Sequence, residues 1–393
     1  MSQIELTTLG KSCEFFNGKA HEKSIDENGK YIVVNSKFIS QEGRVVKRTK
    51  EQMFPLYKGD IVMVMSDVPN GKALAKCFII DKDDTYSLNQ RICCIRSKAF
   101  DTRYLYYQLN RHEHFLAFNN GENQTNLRKD DILACPLIKP SMEEQRRMVV
   151  ELDEAFRSLS KAISNTERNY NNSQDIFKSC LEKIFTENKS NWNENKLKEI
   201  GLTQTGTTPK TTEKENYGNY IPFIKPADVD FSGIGDIRYE NEGLSEIGLK
   251  KGRKMESGSI LMVCIGATIS KVGFATQTVS SNQQINSLTV KKGYFPKFFY
   301  YAMTSNDFQN KVLSEGKGAQ ATLPIINKTK WENLTLHYPA DYNEQKEIVE
   351  KLDKLLEETE LLKTKYSSKV EKLEELKTGI LKRAFENELI EAE

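Results

Sequence analysis

The sequence predicts an α+β chain: two similar mixed α/β domains joined by two long helices that pair as an antiparallel coiled coil, with internal pseudo-two-fold symmetry. Three observations predict this. A charged phrase occurs twice, EEQRRMVVELD at 143–153 and NEQKEIVEKLD at 343–353. A long stretch with apolar residues at alternating three- and four-residue spacing follows each phrase. Short strand-like apolar runs precede each phrase, in matching order. At 393 residues the chain exceeds one ordinary core, and two to four units are expected.

The repeat comes first because it sets the architecture. Shifting by 200 places Glu144-Gln145 on Glu344-Gln345, Val149 on Val349, and Leu152-Asp153 on Leu352-Asp353. Leu181 then falls on Leu381, and Phe185 on Phe385. Upstream, with small gaps, Tyr106-Tyr107 matches Tyr300-Tyr301 and Asn89-Gln90 matches Asn282-Gln283. The loop GENQTNL matches GKGAQATL, with Gln124 opposite Gln320, and YKGDIVMV matches ESGSILMV. A period this long is a duplication rather than a solenoid. The expected domains are 1–140 and 191–340, with helices at 141–190 and 341–393.

Each helix shows a coiled-coil seam. The first runs Val149, Leu152, Phe156, Leu159, Ile163, Tyr170, Phe177, Ile184. The second runs Ile348, Leu352, Leu355, Leu362, Tyr366, Leu373, Leu376, Ile380. No proline occurs from Ser141 to Leu202 or after Pro339, and Ser141 and Asp341 are the expected N-caps. Helices of some 40–45 residues would be roughly 60–68 Å long. The alternative is a pair of ordinary surface helices. Polar seam positions, Thr166 and Ser173, would loosen the pairing and admit partner helices. Antiparallel pairing would set the domains at opposite ends of a rod.

Within the first copy KYIVVNSKFIS, GDIVMVMS and KCFIID read as strands; NYIPFIKP, GSILMVCIG and INSLTVKK do so in the second. RYLYYQLNRHEHFLAF and PKFFYYAMTSNDFQNKVL read as amphipathic helices. Polar connections between strands are the expected working surfaces. Arg44, Lys47, Arg48 and Lys50 crowd one of them, and Lys250, Lys251, Arg253 and Lys254 another. A third holds Thr207, Thr208, Lys210, Thr211, Thr212 and Lys214. Such side chains suit phosphates and base edges. Each cluster alone also fits a solvated loop; recurrence in both copies favours nucleic acid.

Charge supports this only mildly. The net charge is +2. Residues 341–393 hold 10 Lys+Arg against 15 Asp+Glu, and the other 340 residues hold 47 against 40. The body is therefore mildly basic and the tail acidic. Seven scattered cysteines without a CxxC pair suit reduced thiols in a cytoplasmic protein. No apolar run approaches a membrane span, and the start lacks a basic region before an apolar core, so no signal peptide is expected.

No catalytic set emerges. G-x-x-x-x-G-K-[ST], G-x-G-x-x-G after a strand, and a Pro-Pro pair are all missing. His112 and His114 would point to different faces of a helix, which suits a solvated face better than a metal. The acidic DKDDT at 81–85 reads as a turn rather than a calcium loop. No metal is expected.

The two closing motifs, Pro140…Glu144-Gln145…Val149…Leu152-Asp153 and Pro339…Glu344-Gln345…Val349…Leu352-Asp353, resemble those of the specificity subunit of Type I restriction–modification systems. The second copy's opening, with Trp192, Leu197, Gly206, Thr207 and Pro209, is also similar to that family's. The first copy keeps Gly18 but lacks the Thr-Pro. The resemblance implies a non-catalytic DNA-recognition subunit. Each copy would be a target recognition domain for half of a bipartite site in double-stranded DNA, and the helices would fix the spacing. Two modification subunits would dock and bring S-adenosylmethionine for adenine methylation; restriction subunits can join. The chain itself would bind no cofactor.

Expected DNA contacts are Arg44, Lys47, Arg48, Lys50, Lys72, Gln90, Arg91 and Gln124 in the first copy. In the second they are Thr207, Lys210, Thr211, Lys214, Lys225, Arg253, Lys254, Gln283, Gln284, Lys317 and Gln320. Expected helix-packing or subunit positions are Glu144, Gln145, Val149, Leu152, Phe156, Leu159 and Ile163, with Glu344, Gln345, Ile348, Leu352, Leu355, Leu362 and Tyr366. Arg48→Ala and Lys254→Ala should weaken DNA binding, and Leu152→Asp should impair assembly. A non-catalytic protein-interaction scaffold with a coiled-coil rod is the alternative, distinguished by weak, salt-insensitive DNA association. A stand-alone nuclease or methyltransferase would turn over alone.

Overall fold

A computed structural model describes residues 5–21, 23–69, 71–229, 237–316 and 324–392. It divides into two compact units, 1–166 with 368–393, and 167–367. Each unit holds one globular copy, the first half of the long helix that follows it, and the second half of the other long helix.

The copies repeat one topology. In the first, an antiparallel sheet runs Glu14–Asn17, Ile92–Arg96, Ile61–Val64, Cys77–Ile79. In the second, the order is Gly201–Thr205, Ile285–Val290, Ile260–Val263, Val272–Phe274. A three-stranded sheet accompanies each: Arg48–Thr49, Tyr31–Val34, Tyr86–Leu88, and Gly243–Leu244, Tyr217–Ile224, Ser280–Ser281. The last pair of each is parallel. A two-stranded ribbon closes each copy, Glu5–Thr8 with Pro136–Lys139 and Asn193–Lys196 with Thr335–Tyr338.

The unbroken apolar runs in the central strands follow from burial on both faces. Ile61 and Met63 join one core, while Val62 and Val64 join another. Ile260 and Met262 likewise face one core of the second copy, and Leu261 and Val263 the other.

Two expected helices are each broken in two. The first forms Thr102–Leu109 and Glu113–Leu116. Between them Arg111 is left-handed (φ 64°) and its amide donates to Ala75 O, while Asn110 Oδ1 accepts from Cys77 N at 3.0 Å. The second forms Pro296–Thr304 and Asn306–Gly316 around an extended Ser305. There Asn306 N donates to Glu182 of the long helix at 2.7 Å, a tertiary bond that replaces a helical one. KYIVVNSKFIS also divides: Tyr31–Val34 is a strand, but Ser36–Ser40 is helical, capped by Asn35, whose side chain accepts from Phe38 N.

The long helices span Met142–Glu187 and Tyr342–Ala392, 46 and 51 residues. Ser141 Oγ accepts from Glu144 N, and Asp341 Oδ1 from Asn343 N, so both expected caps form. Within each unit the two half-helices run antiparallel. In the second unit Phe185 packs on Trp192, whose Nε1 donates to Glu344 at 3.4 Å. Further back, Phe177 lies against Tyr301, whose hydroxyl donates to Asp353. In the first unit Phe385 meets Tyr104 at 5.6 Å in the core that holds Met148 and Val149, and Lys377 lies over Phe156 at 6.0 Å.

The expected seam positions differ in burial. Val149, Leu152, Leu159 and Leu352 are buried, and Phe156, Ile163, Ile348, Leu355, Leu362 and Tyr366 are half-buried. Leu376 is not in it: it is 51% exposed, and Lys377 lays its stem there instead. Thr166 and Ser173 are no openings for a partner either. Both are buried, and their hydroxyls donate to Ala162 O and Tyr170 O of their own helix.

Candidate nucleic-acid interface

The repeated phrase is a pair of clamps. Gln145 and Gln345 are fully buried. Gln145 Oε1 accepts from Asp101 N at 2.8 Å, and its Nε2 donates to Pro140 O at 3.0 Å. Gln345 repeats this with Phe295 N and Pro339 O, both at 2.8 Å. Asp153 accepts from Tyr107 OH (2.5 Å) and Arg103 (2.7 Å); Asp353 accepts from Tyr301 OH and from Lys297 (2.8 Å). Burial, then the carboxylate bond, raises the Tyr301 and Tyr107 hydroxyl pKa values above the ordinary range. These side chains fix each domain on its helix. Of the pair Glu-Gln, Glu144 is half-buried beside Arg147 and Glu344 is exposed.

At one end of each copy the opening loop meets the turn after the parallel strand. Gly18 N donates to Ile92 O and Lys19 N to Leu88 O; Gly206 N donates to Ile285 O and Thr207 N to Ser281 O. Both turns are pinned alike, Asn89 N to Val34 O and Asn282 N to Ile224 O. Here glycine is required by close approach. A Cβ on Gly18 would lie 2.0 Å from Asn89 O, and one on Gly206 2.1 Å from Asn282 O. The first copy's opening loop therefore takes the second's position without its Thr-Pro.

Around this junction the structure gathers several expected contacts. In the first copy the exposed Gln90 and Arg91 form the turn, and Arg91 O accepts from Met65 N. Gln124 Nε2 donates to Ser66 Oγ at 2.8 Å, on the neighbouring segment, with Asn126 3.4 Å away. In the second, Thr208 donates to Gln283, Asn282 Nδ2 donates to Gln284 Oε1 at 3.0 Å, and Cys264 N donates to Gln284 O. Thr207 sits in the loop itself and Lys225 adjoins Ile224. Thr211 and Lys214 are exposed just beyond. Lys317 and Gln320 lie outside the described residues.

The basic clusters divide by occupation. Lys50 pairs with Asp26 at 2.6 Å, a bond that raises the lysine pKa and, with the Asn28 amide, lowers that of the carboxylate. Arg48 reaches Gly29 O and Lys30 O at 3.4 Å. Arg44 pairs with Glu42, Lys210 with Glu213, Lys225 with Glu242 and Lys254 with Glu256. Exposed pairs of this kind are worth little and can be exchanged for phosphates. Lys47, Lys72, Lys214, Arg91 and Arg253 hold no ion pair among the described residues, so their charge is available without exchange. Ser66, Asn126 and His21 were not singled out from sequence; Asn126 was visible as the polar partner of Gln124 in GENQTNL.

His112 is not on a solvated face. It is half-buried and caps its short helix, its Nδ1 accepting from His114 N at 3.1 Å, while His114 Nε2 meets Asp131 O at 2.8 Å. Residues 81–85 do form a turn, with Asp84 left-handed. Among the described residues no group of three or more His, Cys, Asp or Glu side chains is placed to hold a metal ion. No described helix is long and apolar enough to cross a membrane.

The family described as Type I restriction modification DNA specificity domain matches residues 1–167 and 189–372, one match over each copy. The chain belongs to that family. Among curated specificity-domain relatives, the specificity subunit of the Type I restriction enzyme MjaIX from Methanocaldococcus jannaschii is 27% identical over 163 residues. That of HindI from Haemophilus influenzae is 29% identical over 169 residues. These matches cover 39% and 42% of this chain, and 36% of each relative's length. Two solved structures share the specificity-domain fold over nearly the whole chain. One belongs to work on assembly and conformational transition of the type I R-M system (TM-score 0.73, 17% identity, 98% of this chain and 97% of that one). The other is the HsdS subunit from Thermoanaerobacter tengcongensis (TM-score 0.60, 16% identity, 97% and 96%).

Proposed function

We propose that this chain is the non-catalytic DNA-recognition subunit of a Type I restriction–modification complex, each globular copy reading one half of a bipartite site in double-stranded DNA. The observation that carries this reading is the duplicated junction. Gly18 with Gln90-Arg91, and Gly206-Thr207-Thr208 with Gln283-Gln284, present polar side chains suited to base edges from matching frames, while Asn282 is buried within its frame. The frames match but their side chains differ, so the two half-sites differ. The paired helices set the half-site spacing, and the clamps at Gln145, Asp153, Gln345 and Asp353 hold each domain to them.

Two modification subunits dock on the domains and helices, and S-adenosylmethionine is theirs, as is extrusion of the target adenine. Restriction subunits can join this core. The complex works in the cytoplasm. Co-expression with the neighbouring genes, pull-down and mass measurement test the assembly: two methyltransferase-like partners per chain are expected, followed by a split motif in the methylome. A chain that purifies alone, with weak and salt-insensitive DNA association, would refute the reading and favour a protein-interaction scaffold.

A further inference from the structure

We propose that His21 is the positioning residue that holds the first copy's opening loop in register for reading its half-site, in place of the Thr-Pro device of the second copy. The inference rests on the DNA-recognition reading above.

His21 is fully buried. Its Nδ1 lies 2.7 Å from Lys19 O and its Nε2 2.7 Å from Ser87 Oγ. A carbonyl only accepts, so Nδ1 carries a hydrogen. Phe54 N donates to Ser87 Oγ at 3.2 Å, which leaves the serine hydroxyl free to donate to Nε2. The ring thus bridges the Lys19 carbonyl and the Ser87 hydroxyl, and the same hydroxyl holds the Phe54 amide. It ties the loop that starts at Gly18 to the strand Tyr86–Leu88, directly before the Asn89-Gln90-Arg91 turn.

The second copy solves the same problem differently. The bonds Lys19 N to Leu88 O and Thr207 N to Ser281 O place Lys19 opposite Thr207, His21 opposite Pro209, and Ser87 opposite Ser280. Pro209 cannot reach that serine, and Ser280 Oγ is buried with no hydrogen-bond partner among the described residues. The loop is held from the other side. Tyr217 OH donates to Pro209 O at 2.8 Å, Asn216 Nδ2 to Lys210 O at 3.0 Å, and Thr208 Oγ1 to Gln283. Two different side-chain anchors thus set equivalent loops, His21 in the first copy and the Tyr217, Asn216 and Thr208 bonds in the second.

The experiment uses the assembled complex and duplexes carrying the bipartite motif found by methylome sequencing, intact or scrambled in one half. Gln283→Ala identifies the half read by the second copy. His21→Ala is expected to cut discrimination at the other half about tenfold or more while leaving the Gln283 half unchanged. His21→Gln, which keeps one donor and one acceptor, is expected to restore much of it. Hydrogen exchange at Gly18 and Lys19 should rise in His21→Ala and fall back in His21→Gln. Wild-type discrimination at both halves in His21→Ala would overturn the inference. Equal loss at both halves that His21→Gln does not rescue would reduce His21 to a folding residue and also overturn it. A wild-type complex that discriminates neither half would overturn the DNA-recognition reading itself.

Discussion

Replacing Gln345 by alanine tests whether the repeated phrase is a clamp. The substitution removes two bonds of 2.8 Å from a fully buried side chain, stranding Phe295 N–H and Pro339 C=O. Each stranded buried group costs about 1–3 kcal/mol. The truncated side chain adds a small void, so about 3–5 kcal/mol is expected in the second unit. Hydrogen-exchange mass spectrometry across a urea series reports the two units separately. Protection should fall first in Pro296–Thr304, whose entry the Phe295 bond fixes, while Thr102–Leu109 keeps its own. Gln145→Ala should do the converse, because Asp101 N and Pro140 O take the same roles. Glu344→Ala, at an exposed position, should stay within about 0.5 kcal/mol. A loss below about 1 kcal/mol in Gln345→Ala, or an equal loss in Glu344→Ala, would refute the clamp.

Phe385→Ala should loosen the first unit by about 1–3 kcal/mol, seen as lost protection at Tyr104, although Phe385 follows the second copy in sequence. His112 caps a helix through an unprotonated Nδ1, and burial, then His114, lowers its pKa. Its contribution is complete above the unfolded histidine value of about 6.5 and is lost as pH falls below that value towards the folded one. The stability of the first unit should therefore drop more between pH 7 and pH 5 in the wild type than in His112→Asn, which keeps a cap acceptor. Arg91→Ala should weaken DNA binding by the assembled complex and lower its salt dependence, since no described partner shares its charge. Arg48→Ala should act as much on the Gly29–Lys30 turn it bridges, measurable as faster exchange there without DNA.

The duplication, the two long capped helices and the central strands are legible in the residues alone. Those features live in local periodicity. Heptad spacing, four-residue apolar runs such as Ile61–Val64, and a 200-residue offset are readable without knowing what touches what. The sequence also located the junction residues, because Gly18, Gly206, Asn89-Gln90 and Asn282-Gln283 recur in order. Their contacts come from tertiary packing. Gln145 and Asp153 look like surface polars on a charged helix, and only the approach of Asp101 and Tyr107 turns them into clamps. Helix breaks at Asn110 and Ser305 come from bonds to Cys77 and Glu182, which no local propensity encodes. The bond between His21 and Ser87 joins groups 66 residues apart in the chain at 2.7 Å. Such pairings are set by packing across the sheet, whose partners lie beyond the reach of any sequence window.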